Sequence, residues 1–166
     1  MNKVFIYDQS PVGKILISEA EGLITHLLFI NMEKPGEYLK DTYIIEETML
    51  IKKAKLQLDE YFAGTRNTFT LPLNPIGSEF QMKVWAALQA IPYGETRSYK
   101  QIGEQIGNPK ASRAVGNANN RNPISVIIPC HRVIGANGQL IGYGGGIDIK
   151  EKLLALEEKY VAKNKL

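Results

Sequence analysis

The chain has little of what builds disulfides and metal sites. Its 166 residues include one cysteine, Cys130, and two histidines. One cysteine cannot form an internal disulfide, which fits a reducing compartment. Because a structural zinc site uses about four cysteine or histidine ligands, we expect no metal and no other cofactor.

Long apolar runs are also missing. The longest one, residues 23–30, is interrupted by His26 and falls short of the roughly 20 residues that span a bilayer. The N-terminus, MNKVFIYDQS, lacks the apolar core and the small-residue cleavage site of a secretory signal. We therefore expect a cytoplasmic protein with no membrane partner.

Charge is low overall but unevenly spread. The formal net charge is +3. Residues 1–75 hold 8 basic and 10 acidic side chains, whereas residues 76–166 hold 12 and 7. A nucleic-acid surface is expected in the basic half, although a solvated basic face explains the same asymmetry equally well.

The first 75 residues have the pattern of an antiparallel sheet followed by a helix. Alternating segments that predict strands lie at 3–7, 14–19 and 23–30. Apolar residues at helical spacing predict a helix over 46–62 that ends at Gly64. Prolines block a helix in 65–75, so we place a domain boundary after Pro75.

The remaining residues, 76–166, predict a mainly helical domain. Ser78 and Ser98 can each cap a helix, and a turn at 107–109 separates the second helix from a third over 110–119. Two short helices joined in this way suggest a DNA-binding helix-turn-helix, but a purely structural helix pair is as common. The predicted fold class is α/β, in the α+β arrangement.

The third helix is slim. It carries alanine, serine, glycine and asparagine where a core helix normally carries larger apolar residues. Such a helix can approach another backbone closely.

An apolar, β-branched run at 122–128 leads into Pro129-Cys130-His131-Arg132 and predicts a buried strand with reactive groups at its end. A lone cysteine is usually a small buried hydrophobe. A thiol reacts as its thiolate, however, and neighbouring histidine and arginine are surroundings that lower a cysteine pKa from about 8.5. Since neighbours on a strand point to opposite faces, contact between Cys130 and His131 requires the chain to turn at 129–133.

The blocks around this motif are specific when taken together. NPISVIIPCHRVIG follows IPYGETRSYKQIGEQIGNPKASRAVGNAN and precedes GYGGGIDIKEKLLALE. In this order they resemble the O6-alkylguanine-DNA alkyltransferases, over roughly residues 80–157. The resemblance implies a ribonuclease H-like domain at 1–75 and a DNA-binding, alkyl-acceptor domain at 76–166.

The resemblance also implies catalytic roles. Cys130 takes the alkyl group in an in-line displacement and keeps it, so each molecule acts once. His131 acts through a water as base for the thiol, and Glu157 orients that histidine. Asn122 stabilises the turn before the cysteine, and Tyr99 donates at guanine N3 as the restored base departs.

The implied partner is double-stranded DNA that contains O6-alkylguanine or O4-alkylthymine, bound by a monomer. The third helix would lie in the minor groove, with an arginine filling the gap left by a flipped base. The implied DNA contacts are Tyr99, Lys100, Asn108, Ala111, Ser112, Arg113 and Gly116. The implied base pocket comprises Val133, Tyr143 and Gly144. Family members often have serine in place of Gly144, which leaves the lesion preference open.

Two other functions compete with this one. An alkyltransferase-like protein would bind the lesion and recruit other repair factors without alkyl transfer, but such proteins lack the acceptor cysteine. A Cys-His hydrolase unrelated to DNA would explain neither the slim basic helix nor Tyr99.

Overall fold

The computed structural model describes residues 1–30, 38–40, 42–140 and 146–164, which form two compact units, Met1–Pro75 and Ile76–Leu166. The strands are β1 (Asn2–Tyr7), β2 (Lys14–Ala20), β3 (Leu23–Ile30), β4 (Tyr43–Ile45), β5 (Arg97–Ser98) and β6 (Val133–Ile134). The α-helices are α1 (Met49–Phe62), α2 (Glu79–Gln89), α3 (Tyr99–Gln105), α4 (Ser112–Asn120) and α5 (Ile147–Asn164). The predicted α+β class is confirmed.

The first three strands form the predicted antiparallel meander. Lys3 faces Glu19 across β1 and β2, and Leu16 faces Leu28 across β2 and β3. β4 was not expected from the sequence: it pairs parallel to β1 at the edge of the sheet, in the order β3-β2-β1-β4. Because β4 has three residues and is largely exposed, it has no alternating pattern to detect.

Helix α1 begins three residues later than the periodicity predicts. The Thr48 hydroxyl accepts a hydrogen bond from the Ile51 amide at 3.1 Å, so the helix starts at Met49. Ile51, Ala54 and Leu58 recur at helical spacing and are buried. They form the inner face of α1, which packs against β2.

Helices α2 and α3 begin where their serines predict. The Ser78 hydroxyl accepts from the Gln81 amide, and the Gln81 side chain accepts from the Ser78 amide. Ser98 and Gln101 make the same reciprocal pair at the start of α3. The capping of α3 fixes the position of Tyr99, its first residue.

Helices α3 and α4 form the helix-turn-helix. The Asn108 amide donates to the Gly103 carbonyl at 2.8 Å, and a Cβ on Gly103 would lie 2.8 Å from the Asn108 carbonyl oxygen. Glycine is therefore needed for the turn to close on α3. From α2, the Trp85 indole donates to the Ala118 carbonyl at 2.9 Å, which ties α4 to the core.

The buried strand predicted before Cys130 is wrong. Residues 124–126 and 128 are buried, but this segment forms consecutive turns, with the Ile128 amide donating to the Ile124 carbonyl and Val126 at φ 70°. A short 3₁₀ helix, Cys130–Arg132, follows directly. Apolar β-branched residues indicate burial, and periodicity alone does not separate a buried strand from buried turns.

We expect Ser78→Ala and Ser98→Ala each to lower the free energy of unfolding by about 1 kcal/mol, because each leaves a helix-terminal amide without its acceptor. Urea denaturation measures this effect. Ser10→Ala, which removes a contact only to the Val12 amide in an exposed turn, is the control. Equal stability of wild type and Ser98→Ala would contradict the assigned cap.

Candidate active site

Cys130 lies in the interior, at the start of the 3₁₀ helix. It is 3% exposed. Its amide donates to the Ile128 carbonyl at 2.8 Å, and its own carbonyl accepts from the Val133 amide and, at 3.2 Å, from the Asn119 side chain of α4. The backbone of the cysteine is therefore held by the preceding turns and by the second helix of the helix-turn-helix.

The Asn122 side chain supports the turns before the cysteine. Its Nδ2 donates to the Ile128 carbonyl at 2.7 Å, and its Oδ1 accepts from the Ile124 amide at 3.0 Å. The Asn122 side chain thus supplies hydrogen bonds to backbone groups that would have paired with a neighbouring strand in a sheet.

The chain turn required between Cys130 and Arg132 is present, and it aims His131 at α5. His131 Nε2 lies 2.5 Å from Glu157 Oε2, with the two side chains 0% and 1% exposed. Because Glu157 is ionised, its oxygen accepts and Nε2 carries the proton. His131 Nδ1 is buried and has no hydrogen-bond partner among the described residues, so it is the nitrogen left to accept a proton.

Glu157 accepts further hydrogen bonds from two other groups. Arg132 donates from Nε at 2.8 Å and from Nη2 at 3.2 Å, and the Gly94 amide donates at 3.1 Å. Burial by itself raises the pKa of Glu157, but His131 and Arg132 outweigh it and hold that pKa well below its usual range.

Position 94 has room only for glycine. Its φ of +79° is in the left-handed region, and a Cβ would overlap the Val161 side chain of α5. Glycine therefore allows the amide to reach Glu157 beside a closely packed helix.

Tyr99 and Lys150 lie beside Cys130. Arg97, just before α3, pairs in parallel with Val133, just after the 3₁₀ helix Cys130–Arg132. The start of α3 therefore lies next to the end of that 3₁₀ helix. Burial, and then the negative charge of an ionised Cys130, raises the pKa of Tyr99. Lys150 of α5 is 0% exposed, with Nζ 5.8 Å from the centroid of the Tyr99 ring. Burial lowers the pKa of Lys150, and an ionised Cys130 opposes this effect.

The residues predicted to contact DNA lie on α3, on α4 and in the segment between these helices. Lys100, Asn108 and Arg113 are exposed, whereas Ala111, Ser112 and Gly116 are half-buried. A surface pocket of about 360 Å³ is lined by Tyr99, Ser112, Arg113, Gly116, Asn117 and Asn120. Of the predicted base pocket, Val133 is buried in β6, whereas Tyr143 and Gly144 lie outside the described residues.

Three residues that contact the site were not predicted. Arg132 was expected only to help lower the pKa of Cys130, and Asn119 was considered only as part of a slim helix. Lys150 has the one recoverable signal, because it shares the buried face of α5 with Leu153 and Glu157 at helical spacing. Among the residues with described positions, no cluster of three or more His, Cys, Asp or Glu could hold a metal ion, and no helix could cross a membrane.

Both compact units of the chain match models of one protein family. Residues 79–159 match the family model for the 6-O-methylguanine DNA methyltransferase DNA binding domain, and residues 3–75 match that for its ribonuclease-like domain. The chain is 53% identical to the methylated-DNA–protein-cysteine methyltransferase of Methanosarcina acetivorans over 149 residues, which cover 90% of this chain and 94% of that one.

Solved structures agree with these sequence matches. The crystal structure of the Mycobacterium tuberculosis O6-methylguanine methyltransferase has a TM-score of 0.85 and 44% identity, over 96% of this chain and 94% of that one. The crystal structure of Mycobacterium tuberculosis OGT in complex with DNA has a TM-score of 0.85 and 42% identity, over 96% and 93%.

Protonation of His131 should make stability depend on pH. Burial, the largest cause, lowers its pKa from 6.5, so the unfolded chain binds more protons than the folded one as the pH falls through that value. The free energy of unfolding should therefore drop between about pH 7 and pH 5, by about 1.4 kcal/mol per unit of pKa difference. His131→Gln should lose this contribution, as measured by urea denaturation at several pH values.

His26→Gln is the matched control, because it removes the other histidine and leaves His131 in place. An unchanged pH dependence in His131→Gln would show that His131 is not held in its neutral form.

Proposed function

Since the chain belongs to the O6-methylguanine DNA methyltransferase family, we propose that Cys130 removes the alkyl group from O6 of guanine in duplex DNA and keeps it. This is direct-reversal repair by a methylated-DNA–protein-cysteine methyltransferase. The observation that carries the assignment to these residues is the buried arrangement of Cys130, His131 and Glu157, in which His131 Nδ1 is left to accept a proton. No step regenerates the thiol, so each molecule reacts once.

The displacement forms one bond and breaks one bond. The Cys130 sulfur, as thiolate, attacks the alkyl carbon; a carbon–sulfur bond forms as the carbon–O6 bond breaks, and its electron pair leaves with the purine. The thiol proton passes through a water to Nδ1 of His131, while Glu157 holds Nε2 in the required tautomer.

Tyr99 supplies the hydrogen bond or proton that the departing purine needs at N3. Burial is the main reason that its pKa is raised, so the phenol is protonated at neutral pH and can act as a donor. Its place at the start of α3, near Cys130, supports this role.

Helix α4 lies in the minor groove of the DNA. The support is its small side chains on a basic surface, with Arg113 exposed on its first turn. Because Cys130 is buried, the damaged base must leave the duplex to meet it, and Arg113 fills the resulting gap. Lys100, Asn108, Ala111 and Ser112 contact the DNA backbone or groove around the same helix.

The flipped base is received by the Val133 carbonyl, Tyr143 and the Gly144 amide. The proposed substrates are O6-alkylguanine and, as a second lesion, O4-alkylthymine; glycine at position 144 does not decide between them. Residues 1–75 form a ribonuclease H-like domain. The protein works as a monomer in the cytoplasm, where a reducing environment keeps its acceptor a free thiol.

We expect incubation with duplex DNA that contains O6-methylguanine to increase the intact protein mass by one methylene unit, because a methyl group replaces the thiol hydrogen. The gain should saturate at one per molecule and be absent in Cys130→Ala. Mass spectrometry of the intact protein, followed by peptide mapping to Cys130, measures it.

Tight lesion binding without a mass change would favour the lesion-binding alternative. Repeated turnover would contradict a permanent thioether. Transfer to another residue would remove Cys130 from the acceptor role.

Gly116→Ala should separate folding from DNA binding. A Cβ at this position would lie 3.7 Å from the Tyr99 ring, an ordinary contact, and alanine favours a helix over glycine by about 1 kcal/mol. Stability should therefore be kept or raised, while the Kd for duplex DNA rises about tenfold because α4 can no longer approach the groove. Fluorescence anisotropy and urea denaturation measure the two effects.

Ala86→Leu, on the exposed side of α2, is the control for added bulk on a helix surface. An unchanged Kd in Gly116→Ala would argue against close approach of α4 to the DNA.

A further inference from the structure

Arg132 makes three side-chain hydrogen bonds, and two of them are to Glu157. It is 7% exposed. Two of its nitrogens donate to the two oxygens of Glu157, and Nη1 donates to the Ile91 carbonyl at 2.8 Å. Its guanidinium carbon also lies 5.6 Å from the centre of the Tyr93 ring. The side chain is thereby fixed from three directions.

The two-point contact restricts how the Glu157 carboxylate can turn. A planar guanidinium that binds both oxygens sets the plane of the carboxylate, and the Ile91 carbonyl sets the plane of the guanidinium. Oε2 is then held toward His131 Nε2, and Oε1 toward the Gly94 amide. The orientation of the imidazole is a consequence of this geometry.

We propose that Arg132 is a positioning residue for alkyl transfer: it locks Glu157 so that His131 presents Nδ1 to take the proton of the acceptor thiol. This inference rests on the proposed function, in which His131 and Glu157 have roles and Arg132 has none. Arg132 acts through Glu157, because its side-chain hydrogen bonds go to Glu157 and to the Ile91 carbonyl.

Charge supports the same role. Without Arg132, the buried carboxylate would lose two of its hydrogen bonds and the nearest guanidinium charge. Lysine at position 132 would restore the positive charge but not the paired, planar contact. Comparing lysine with glutamine at position 132 therefore separates the effect of the positive charge from the effect of the paired, planar contact.

Removing Arg132 should also change the pH dependence of transfer. His131 is surrounded by Glu157 and Lys150 of α5 and by Arg132; burial is the main cause of its lowered pKa, and the Arg132 charge lowers it further. Tyr93, which faces Glu157, has its pKa raised to about 12, chiefly by burial, and stays neutral. In Arg132→Gln the pKa of His131 should therefore rise, and transfer should need a higher pH.

The test is single-turnover transfer from O6-methylguanine duplex DNA, in saturating excess, to wild type, Arg132→Gln and Arg132→Lys. The amplitude of methyl transfer counts the folded, active molecules, whereas the rate constant reports the geometry of the site in those molecules. We expect the rate constant to fall by about tenfold or more in Arg132→Gln, with a smaller fall in Arg132→Lys. DNA affinity should stay within about twofold, because Arg132 is buried.

Arg66→Gln is the matched control. It breaks another arginine–glutamate pair, with Glu60 at 3.2 Å, in the N-terminal unit. If Arg66→Gln destabilises the protein, its free energy of unfolding or its amplitude of methyl transfer should fall, while the rate constant for transfer should not change.

The outcomes separate the inference from the proposed function. If the wild type gains no methyl group, the proposed function fails. If the wild type reacts and either Arg132 variant reacts as fast per active molecule, with the same pH profile, Arg132 has only a structural role. Arg132→Lys keeps the test decisive where Arg132→Gln yields too little folded protein.

Discussion

The site depends on keeping one carboxylate charged inside the protein. Glu157 is 1% exposed, and a buried carboxylate is stable only when hydrogen bonds and positive charge replace its water. Its donors come from the 3₁₀ helix and from the segment before β5, while the residue itself stands on α5. Satisfying that single charge brings together three separate stretches of the chain, and the position of His131 follows from it.

Two asparagines hold the backbone beside this charged centre, and one of them links it to α4. Asn122 closes the turns that precede Cys130, and Asn119 reaches from α4 to the Cys130 carbonyl. Since α4 is also held by Trp85, this helix and Cys130 are parts of one hydrogen-bonded unit. Cys130 and the exposed side of α4 therefore keep a fixed separation.

The sequence predicts elements well where one physical effect dominates, and poorly where several act together. Alternation and serine caps locate β1 to β3, α2 and α3. The strand expected at 122–128 is a set of turns, because side-chain hydrogen bonds from Asn122 replace a ladder that apolar composition alone suggested. The burial of Arg132 leaves no such pattern in the sequence, since only its contacts with distant segments reveal it.

The burial of Cys130 also bears on how long an unused molecule remains useful. A thiol that is consumed in its only reaction must survive the period before a lesion arrives. With 3% of its surface exposed, Cys130 is shielded from peroxides and from small electrophiles, which attack accessible thiolates first. The same interior placement that makes base delivery necessary thus gives the waiting protein chemical durability.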